Sequence, residues 1–445
     1  MKAVVLAAGS GRRMWPYAEV RCKAMLPVAN QPVARHLVRA LREGGVDEIL
    51  FLAGPIASDL AGCLRDEERV QVLDVGTTDG TAQTLLHAQQ WAKGTFLAVY
   101  GDVLLSGEDV RRLAQCEAPW AALVSPLDGD RTGDHICARV QDGQIVRIVG
   151  HPREGDCRRL AAFRLDESVF PLLACCPSFF PDVEVGMMPP REKHLESVLL
   201  QKGPLPAVEC GGFDLDKPWH LLRANRACAR KICTELDQSC VDPTAYIDPS
   251  ASIAGKVRLG RGSRIGRNVV IEGNCVIGDN TVLDNGAIVR ENCVIGNDCR
   301  LVNGCYVSDG SVVGDRCVIG HGAELDGVLF RNVYLYHYME IYGMVGENTD
   351  FGAGTVCGSL RFDDGECVHR INGRKEVPSY DSAAVYVGDF CRTGVNAILS
   401  PGKRIGVYSV VGAGTILTQD VPNHTLIYAR QELVTQPWDS TNYGW

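Results

Sequence analysis

Every sixth residue is apolar, without a miss, along most of the second half of this 445-residue chain. In repeats of this length each unit forms one short strand and one turn, and three units complete a coil. Because the recurring side chain points inward, stacked coils together bury what a single coil cannot. The repeat therefore predicts a left-handed parallel β-helix. Its recurring positions are Ile247, Ile253, Leu259, Ile265, Ile271, Ile277, Leu283, Val289, Ile295, Leu301, Val307, Val313, Ile319 and Leu325.

A shift of two residues after Leu325 starts a second register of the same repeat. Its positions are Val333, Met339, Val345 and Phe351, followed by Val387, Leu399, Ile405, Val411 and Leu417. The polar residues 361–381 interrupt this register, so we predict a loop that leaves the β-helix there.

The chain contains 19 cysteines, and several of them follow the repeat. None lies in a paired Cys-x-x-Cys arrangement, which argues against a zinc ribbon and against a disulfide framework. Five of them precede a recurring apolar position by two residues, where the repeat accepts only small inward side chains. We predict that these five pack the core and do no redox chemistry: Cys275, Cys293, Cys299, Cys305 and Cys317.

The first half opens on a short apolar run that ends at Gly9-Ser10-Gly11. Such a run is typical of a buried parallel strand, and the glycines leave backbone N–H groups open to a phosphate chain. Arg13 and Lys23 can bring positive charge to the same place. A tight turn would also explain the glycines. Met14 stands where a dinucleotide-binding loop needs a third glycine, and no Gly-Lys-Ser/Thr follows as in a Walker loop.

Helical and strand patterns alternate after this loop. Residues 33–43 have helical spacing, residues 48–53 and 70–73 read as strands, residues 81–92 as a helix, and residues 96–100 as a strand. The alternation predicts a Rossmann-like, doubly wound α/β domain with a parallel sheet. Asp102 follows the last of these strands, where it is either a turn residue or a ligand for the Mg²⁺ of a bound nucleotide.

Charge and hydropathy exclude several classes of protein. The net charge of −9 and the lack of a clustered basic face argue against a nucleic-acid surface. No signal peptide and no apolar run of membrane-spanning length is found, so we expect a cytoplasmic protein without a membrane segment.

The opening segment resembles the signature of sugar-1-phosphate nucleotidylyltransferases, an apolar strand with Ala-Ala-Gly-x-Gly-x-Arg and a lysine before Leu-Pro-Val. The resemblance implies that Arg13 and Lys23 are the two catalytic cations. It implies Mg²⁺ bound by Asp102 and by Asp214, which matches the aspartate of a Trp-x-Asp motif, while Asp216 is interpreted as the start of the turn before Pro218. It also implies nucleotide contacts from Leu6, Ala8, Gly9, Gly11, Gly80 and Thr81.

The sugar side departs from that family. Gly150 and His151 stand where the family carries Glu-Lys, whose charges hold the sugar and its phosphate. Residues 160–163 replace the usual Asn-x-Gly-x-Tyr segment. Either the sugar differs from those of the relatives, or this half has lost turnover.

The second half resembles the acyltransferase domain of bifunctional N-acetylglucosamine-1-phosphate uridyltransferase/glucosamine-1-phosphate acetyltransferases and their archaeal-type relatives. The matching pieces are Tyr336-His337-Tyr338, residues 348–355 and residues 411–415. The resemblance implies that His337 is the base for acetyl transfer from acetyl-CoA, and that Ala413 and Arg430 bind the acyl-CoA. Without the resemblance, the sequence favours a surface residue stacked among tyrosines over a catalytic His337. Ser359 and Ser382 replace an asparagine and a lysine that hold the amino sugar in relatives.

These observations predict a nucleotidyltransferase domain in residues 1–228, a helical linker in 229–243, an acyltransferase-like β-helix in 244–430 and a tail in 431–445. The predicted reaction joins a nucleoside triphosphate and a sugar-1-phosphate into an NDP-sugar and pyrophosphate, with doubtful acetyl transfer. The resemblance implies a homotrimer, or a multiple of one, built through the β-helix. The alternative is a regulatory subunit that binds NDP-sugars and has lost catalysis.

Overall fold

A computed structural model describes residues 1–127, 135–153, 155–186, 188, 191–439 and 441. It has an N-terminal α/β domain followed by a parallel β-helix, which confirms the predicted fold class. Among the described residues, no helix is both long and apolar enough to cross a membrane.

The α/β domain contains one nine-stranded sheet and two smaller sheets of two strands each. Its strands are β1 Lys2–Ala7, β2 Pro27–Val28, β3 Gln31–Pro32, β4 Glu48–Ala53, β5 Val70–Asp74, β6 Thr95–Tyr100, β7 Val103–Leu104, β8 Ala121–Ser125, β9 Ile136–Gln141, β10 Gln144–Gly150, β11 Arg158–Asp166, β12 Leu205–Glu209 and β13 Phe213–Asp214. Its helices are α1 Val33–Glu43, α2 Ala57–Cys63, α3 Thr81–Leu86, α4 Gly107–Ala114, α5 Val169–Ala174 and α6 Pro218–Thr234, with short 3₁₀ turns at Arg12–Met14, Lys23–Met25, Leu195–Ser197 and Leu199–Lys202.

The strand order is β5-β4-β1-β6-β11-β8-β12-β10-β9. The predicted helix over 33–43 and the strand over 48–53 are confirmed, whereas α3 ends at Leu86, short of the predicted end. The sheet is mixed and not wholly parallel, because β11 runs antiparallel to both β6 and β8. Asp142 and Gly143, both with positive φ, join β9 and β10 by a hairpin turn, which allows antiparallel strands without a crossover helix.

The β-helix consists of short strands stacked in parallel. They are β14 Cys240–Val241, β15 Tyr246–Ile247, β16 Ser252–Ile253, β17 Val257–Leu259, β18 Arg264–Ile265, β19 Val270–Ile271, β20 Cys275–Ile277, β21 Val282–Asp284, β22 Ile288–Val289, β23 Cys293–Ile295, β24 Arg300–Val302, β25 Tyr306–Val307, β26 Val312–Val313, β27 Val318–His321, β28 Glu324–Leu329, β29 Tyr334–His337, β30 Glu340–Val345, β31 Asp350–Phe351, β32 Val356–Cys357, β33 His369–Ile371, β34 Arg374–Glu376, β35 Val385–Val387, β36 Arg392–Thr393, β37 Ile398–Leu399, β38 Arg404–Ile405, β39 Val410–Val411, β40 Ile416–Leu417 and β41 Leu426–Ile427. Only β33 and β34 pair antiparallel among these described strands, as a hairpin inside the predicted loop 361–381.

The recurring apolar residues and the five predicted cysteines fill the interior of the coils. Ile265, Leu283 and Leu301 stack in register and are fully buried. The five cysteines are also fully buried, which confirms their packing role. Burial raises the pKa of Cys299 and Cys305 to about 12, so these thiols stay protonated at neutral pH.

The register shift after Leu325 has a local cause. Strand β28 carries two inward residues, Leu325 and Leu329, only four positions apart, with Gly327 between them at φ 149°. A Cβ at Gly327 would lie 1.8 Å from the carbonyl oxygen of Gly343 in the next coil, so only glycine fits this corner. Leu335 then stacks on Ile319, and Val333 takes the inward site two residues earlier, which corrects the predicted second register there.

The α/β domain packs directly on the β-helix. Helix α6 crosses the predicted boundary at residue 228 and lies against β20, β23, β26 and β28. Tyr17, Phe330 and Met344 belong to one buried cluster that joins the two domains, and the rings of Tyr17 and Phe330 are 5.3 Å apart. The segment between Arg13 and Lys23 therefore rests on the β-helix.

Candidate active site of the α/β domain

The carboxyl ends of β1 and β6 meet where the chain opens into the glycine loop and into Gly101-Asp102. The two ends are close, since a Cβ at Gly101 would lie 2.8 Å from the carbonyl oxygen of Leu6. Strand β13 pairs with β7, and the N–H of Leu215 donates to the carbonyl oxygen of Asp102 at 2.8 Å. This pairing brings the segment that carries Asp214 beside Asp102, although the two lie far apart in the sequence.

Lys23 is at the centre of the site. Its Nζ lies 2.9 Å from Oδ2 of Asp102 and 3.2 Å from Oδ1 of Asp216. Although burial acts to lower it, the pKa of Lys23 is raised by the charges of Asp102, Asp216 and Asp214. Lys23 is therefore a fixed positive charge at any physiological pH.

Asp216 is a site residue that sequence reasoning missed. It is buried, and its Oδ2 accepts a hydrogen bond from Arg13 at 2.8 Å while its other oxygen accepts from Lys23. Burial acts to raise the pKa of Asp216, but Lys23 and Arg13 hold it well below its ordinary value. Its spacing from Asp214 was the available signal, because residues two apart on an extended segment point to the same side.

Asp214 is in a different electrostatic environment. Its Oδ2 lies 3.8 Å from Nδ1 of His135 and 4.0 Å from Nε of Arg159. Burial and the charges of Asp102 and Asp216 raise the pKa of Asp214 to about 6, against the opposing effect of Arg159 and Lys23. His135 and Arg159 are both buried and were not identified from the sequence.

The carboxylates suit a divalent cation. Asp102 directly precedes β7, and Asp214 lies on β13, which pairs with β7. Burial and the charge of Asp102 both raise the pKa of Asp214, and a bound cation relieves this repulsion. Within the described ranges no three His, Cys, Asp or Glu side chains form a metal cluster. Mg²⁺ is commonly held by one or two carboxylates together with substrate phosphates, so the residues present fit Mg²⁺ brought by a nucleotide.

The predicted nucleotide-binding residues surround the same strand ends. Gly9 is exposed with open space around it, and Gly11, at φ 65°, begins the 3₁₀ turn that carries Arg13. Gly80 precedes α3, and a Cβ there would lie 2.4 Å from the carbonyl oxygen of Lys193. Leu6 and Ala8 are nearly buried.

Thr81 is bound within the protein. Its hydroxyl donates to Oε2 of Glu196 at 3.0 Å and accepts from the N–H of Leu195 at 2.9 Å. Buried Glu196 also accepts a hydrogen bond from Tyr100. The Thr81 side chain therefore ties α3 to the 194–196 segment.

Gly150 ends β10 and His151 follows it, at the position predicted to be the sugar side. A Cβ at Gly150 would lie 2.4 Å from Sδ of Met188 and 3.1 Å from Cδ1 of Phe180, so no larger side chain fits there without movement. His151 is buried at φ 47°, and its N–H donates to the carbonyl oxygen of His135 at 2.9 Å. His151 therefore holds the strand end from which His135 reaches Asp214.

The predicted acyl site lies along one corner of the β-helix. Backbone bonds connect successive coils there: Gly354 N–H to His337 O at 3.1 Å, Asn396 N–H to Ala353 O at 2.8 Å and Gly414 N–H to Val395 O at 2.9 Å. His337 is exposed. Ala413 lines an open groove of about 430 Å³ together with Val395, Asn396, Gly414, Tyr428, Ala429 and Gln431. Arg430 is exposed between two of these lining residues.

Several known proteins are similar to this chain over both of its domains. A protein of Methanococcus maripaludis named "Bifunctional protein GlmU" is 27% identical over 443 residues, covering 98% of each chain. A protein of the same name from Methanocaldococcus jannaschii is 25% identical over 445 residues, covering 98% of this chain and 99% of its own. A "Bifunctional sugar-1-phosphate nucleotidylyltransferase/acetyltransferase" of Sulfurisphaera tokodaii is 22% identical over 438 residues, covering 95% and 98%.

Family models divide the chain near the end of α6. The model of the GMPPB C-terminal domain matches residues 236–350, in the β-helix. The model of the MobA-like NTP transferase domain matches residues 3–232, more than half of the chain and the part that holds Arg13, Lys23 and the three carboxylates. The chain therefore belongs to the family of MobA-like NTP transferase domain proteins and is a nucleotidyltransferase that carries a GMPPB-type C-terminal domain.

Proposed function

We propose that this protein transfers a nucleotidyl group from a nucleoside triphosphate to a sugar-1-phosphate, forming an NDP-sugar and pyrophosphate. The convergence of Arg13 and Lys23 with Asp102, Asp214 and Asp216 at the strand ends carries the proposal. The names of relatives that align over nearly the whole chain support the substrate class.

The reaction needs charge stabilisation more than covalent chemistry. A phosphate oxygen of the sugar-1-phosphate attacks the α-phosphate, the bond to the bridging oxygen breaks, and pyrophosphate leaves. Lys23 and the partly exposed Arg13 exchange their bonds to Asp216 for bonds to phosphate oxygens, which neutralises the developing charge. Asp102 and Asp214 would hold Mg²⁺, which supplies Lewis-acid stabilisation of the phosphates when bound.

The sugar phosphate requires a cation that the family lysine no longer provides. Arg159 and His135 lie within about 4 Å of Asp214. We propose that these two residues take over part of the missing charge.

The direct test is Mg²⁺-dependent pyrophosphate release over a panel of nucleoside triphosphates and sugar-1-phosphates. Release with at least one pair supports the proposal. If no pair gives release and NDP-sugars nevertheless raise the melting temperature, the protein is the regulatory subunit that the substitutions at Gly150 and His151 suggested.

Mg²⁺ binding should depend on pH through Asp214. With a pKa of about 6 in the metal-free protein, raised mainly by burial, this carboxyl is protonated below pH 6 and must release a proton to bind a cation. We therefore expect apparent Mg²⁺ affinity to fall about tenfold per pH unit below pH 6 and to level off above it. Calorimetric titration of the protein with Mg²⁺ and a nucleoside triphosphate measures this, and an affinity unchanged between pH 7 and pH 5 would contradict it.

The acyltransferase-like half is proposed to be weak. His337 lies on the same corner of the β-helix as Gly354. Ser382, which stands where relatives carry a phosphate-binding lysine, is engaged elsewhere: its Oγ accepts from the N–H of Cys367 at 3.0 Å. Loss of a charge-assisted bond costs roughly 1.5–3 kcal/mol, or about tenfold to a hundredfold in binding. We expect slow thiol release from acetyl-CoA with glucosamine-1-phosphate or galactosamine-1-phosphate. Rapid release that disappears in His337→Ala would show that the acetyl site works.

We also propose assembly as a homotrimer, or a multiple of one, through the β-helix. Val356, Ile398 and Ile416 stack in register on successive coils and are all exposed. Such an apolar column on a flat face is suited to packing against another copy.

A further inference from the structure

The hairpin β33–β34 leaves the β-helix and packs on the α/β domain. Ile371 is buried in the hydrophobic cluster of that domain, and the ring of His369 lies 5.3 Å from the ring of Trp219, at the start of α6. Asn372 and Gly373 form its tip, both with positive φ. We call residues 369–376 the docking hairpin.

The docking hairpin places a charge beside the candidate active site. Oε2 of Glu376 forms an ion pair with Nζ of Lys217, and both side chains are less than 10% exposed. Lys217 directly follows Asp216, the carboxylate that binds Arg13 and Lys23. The backbone next to Asp216 is therefore held by the buried ion pair between Lys217 and Glu376, and Glu376 belongs to the β-helix half of the chain.

A second contact acts on the same segment. The guanidinium of Arg223 lies 5.4 Å from the ring of Phe213 and 4.8 Å from the ring of Tyr380, which stands at the base of the docking hairpin. Phe213 precedes Asp214, so the strand with the candidate metal ligand is also held from the hairpin side.

The docking hairpin is also linked, through Arg404, to the segment that follows Arg13. Arg404 of the β-helix donates to the carbonyl oxygen of Arg370 in the hairpin at 2.6 Å, and its guanidinium lies 4.8 Å from the ring of Trp15. Trp15 comes two residues after Arg13 and donates to Asn423 of the β-helix at 2.8 Å. The docking hairpin therefore contacts the segment next to Asp216 directly and the segment after Arg13 through Arg404.

We propose that the docking hairpin positions the nucleotidyl-transfer site, with Glu376 as a positioning residue that acts through Lys217 and Asp216. This inference rests on the proposed function. Displacement of a catalytic group by about 1 Å can cost a hundredfold in rate, so a buried contact one residue from Asp216 is enough to matter. The β-helix is then part of the nucleotidyltransferase and not a separate module.

The test compares three variants of the full-length protein. Glu376→Gln keeps the shape of the side chain but removes the negative charge that pairs with Lys217, and we expect kcat for pyrophosphate release to fall about tenfold to a hundredfold. The Lys217→Met/Glu376→Met double variant removes the pair without stranding a charge, and such replacements are often neutral or stabilising. Asp309→Asn is the matched control, because it breaks the interdomain pair with Arg230, at the other end of α6.

The readouts separate positioning from general stability. We expect the double variant to regain the parent melting temperature while its kcat stays at least tenfold low, and Asp309→Asn to keep the parent kcat. A double variant with parent kcat would overturn the proposal, as would equal losses in Glu376→Gln and Asp309→Asn.

A third readout keeps the test decisive if the parent releases no pyrophosphate with any pair. In that case the proposed function fails, and the hairpin is judged on ATP, UTP and GTP affinity by calorimetry. If both Glu376 variants bind these nucleotides about tenfold more weakly than the parent, the docking hairpin positions Arg13 and Lys23. Unchanged nucleotide affinity refutes that proposal.

Discussion

Lys23→Ala is expected to lower Mg²⁺-dependent pyrophosphate release by roughly 10²–10³-fold, the usual loss for one preorganised charge at a reacting group. The ammonium group of Lys23 lies within 3.2 Å of both Asp102 and Asp216, and it also interacts electrostatically with Asp214. Its removal therefore takes the compensating charge of Lys23 away from all three carboxylates. The substrate phosphates would then enter a site whose local charge is strongly negative. Initial rates at saturating nucleotide and sugar-1-phosphate measure the effect.

Lys231→Ala is the control for this variant. Lys231 is an exposed lysine on α6 that lies near Glu235 one turn later, so the same change in residue type and net charge is made away from the site. We expect parent rates from it. A Lys23→Ala protein that retains more than a third of the parent rate would rule out Lys23 as a catalytic cation.

Asp389→Ala is expected to reduce the free energy of unfolding by about 3 kcal/mol, the lower end of the usual cost of removing one member of a buried ion pair, because Arg21 keeps Glu347 at 3.5 Å. Asp389 is fully buried in the β-helix, and its two oxygens bind the guanidinium of Arg21 from the α/β domain. It also accepts the N–H of Glu347 at 2.7 Å. Chemical denaturation of both proteins at neutral pH measures the loss.

Asp326→Asn gives the comparison for an exposed interdomain pair. Asp326 lies 2.7 Å from Arg226, but its side chain is 46% exposed and Arg226 keeps a second partner in Asp381. Exposed pairs contribute at most about 1 kcal/mol, so this variant should unfold nearly like the parent. If Asp389→Ala lost no more than Asp326→Asn, the Arg21–Asp389 contact would not hold the two domains together.

The sequence by itself determined the features that depend on neighbours along the chain. The six-residue period of the coils, the small inward cysteines and the α1–β4 unit all follow from local spacing, because a side chain's face in a short strand or helix is set by its position in the repeat. Arg13 and Lys23 could be identified for the same reason, since both lie within one short segment around the glycine loop.

Only the tertiary structure decided which distant groups meet. Asp216, His135 and Arg159 join the site because β13 pairs with β7 and because β9 and β11 pair near the residues where both begin, and no local pattern encodes those pairings. The contact of Glu376 with Lys217 and the contact of Arg404 with Trp15 likewise depend on how the β-helix packs against the α/β domain. These contacts form between segments far apart in the sequence, and their geometry is fixed by tertiary packing, which the periodicity of the sequence does not specify.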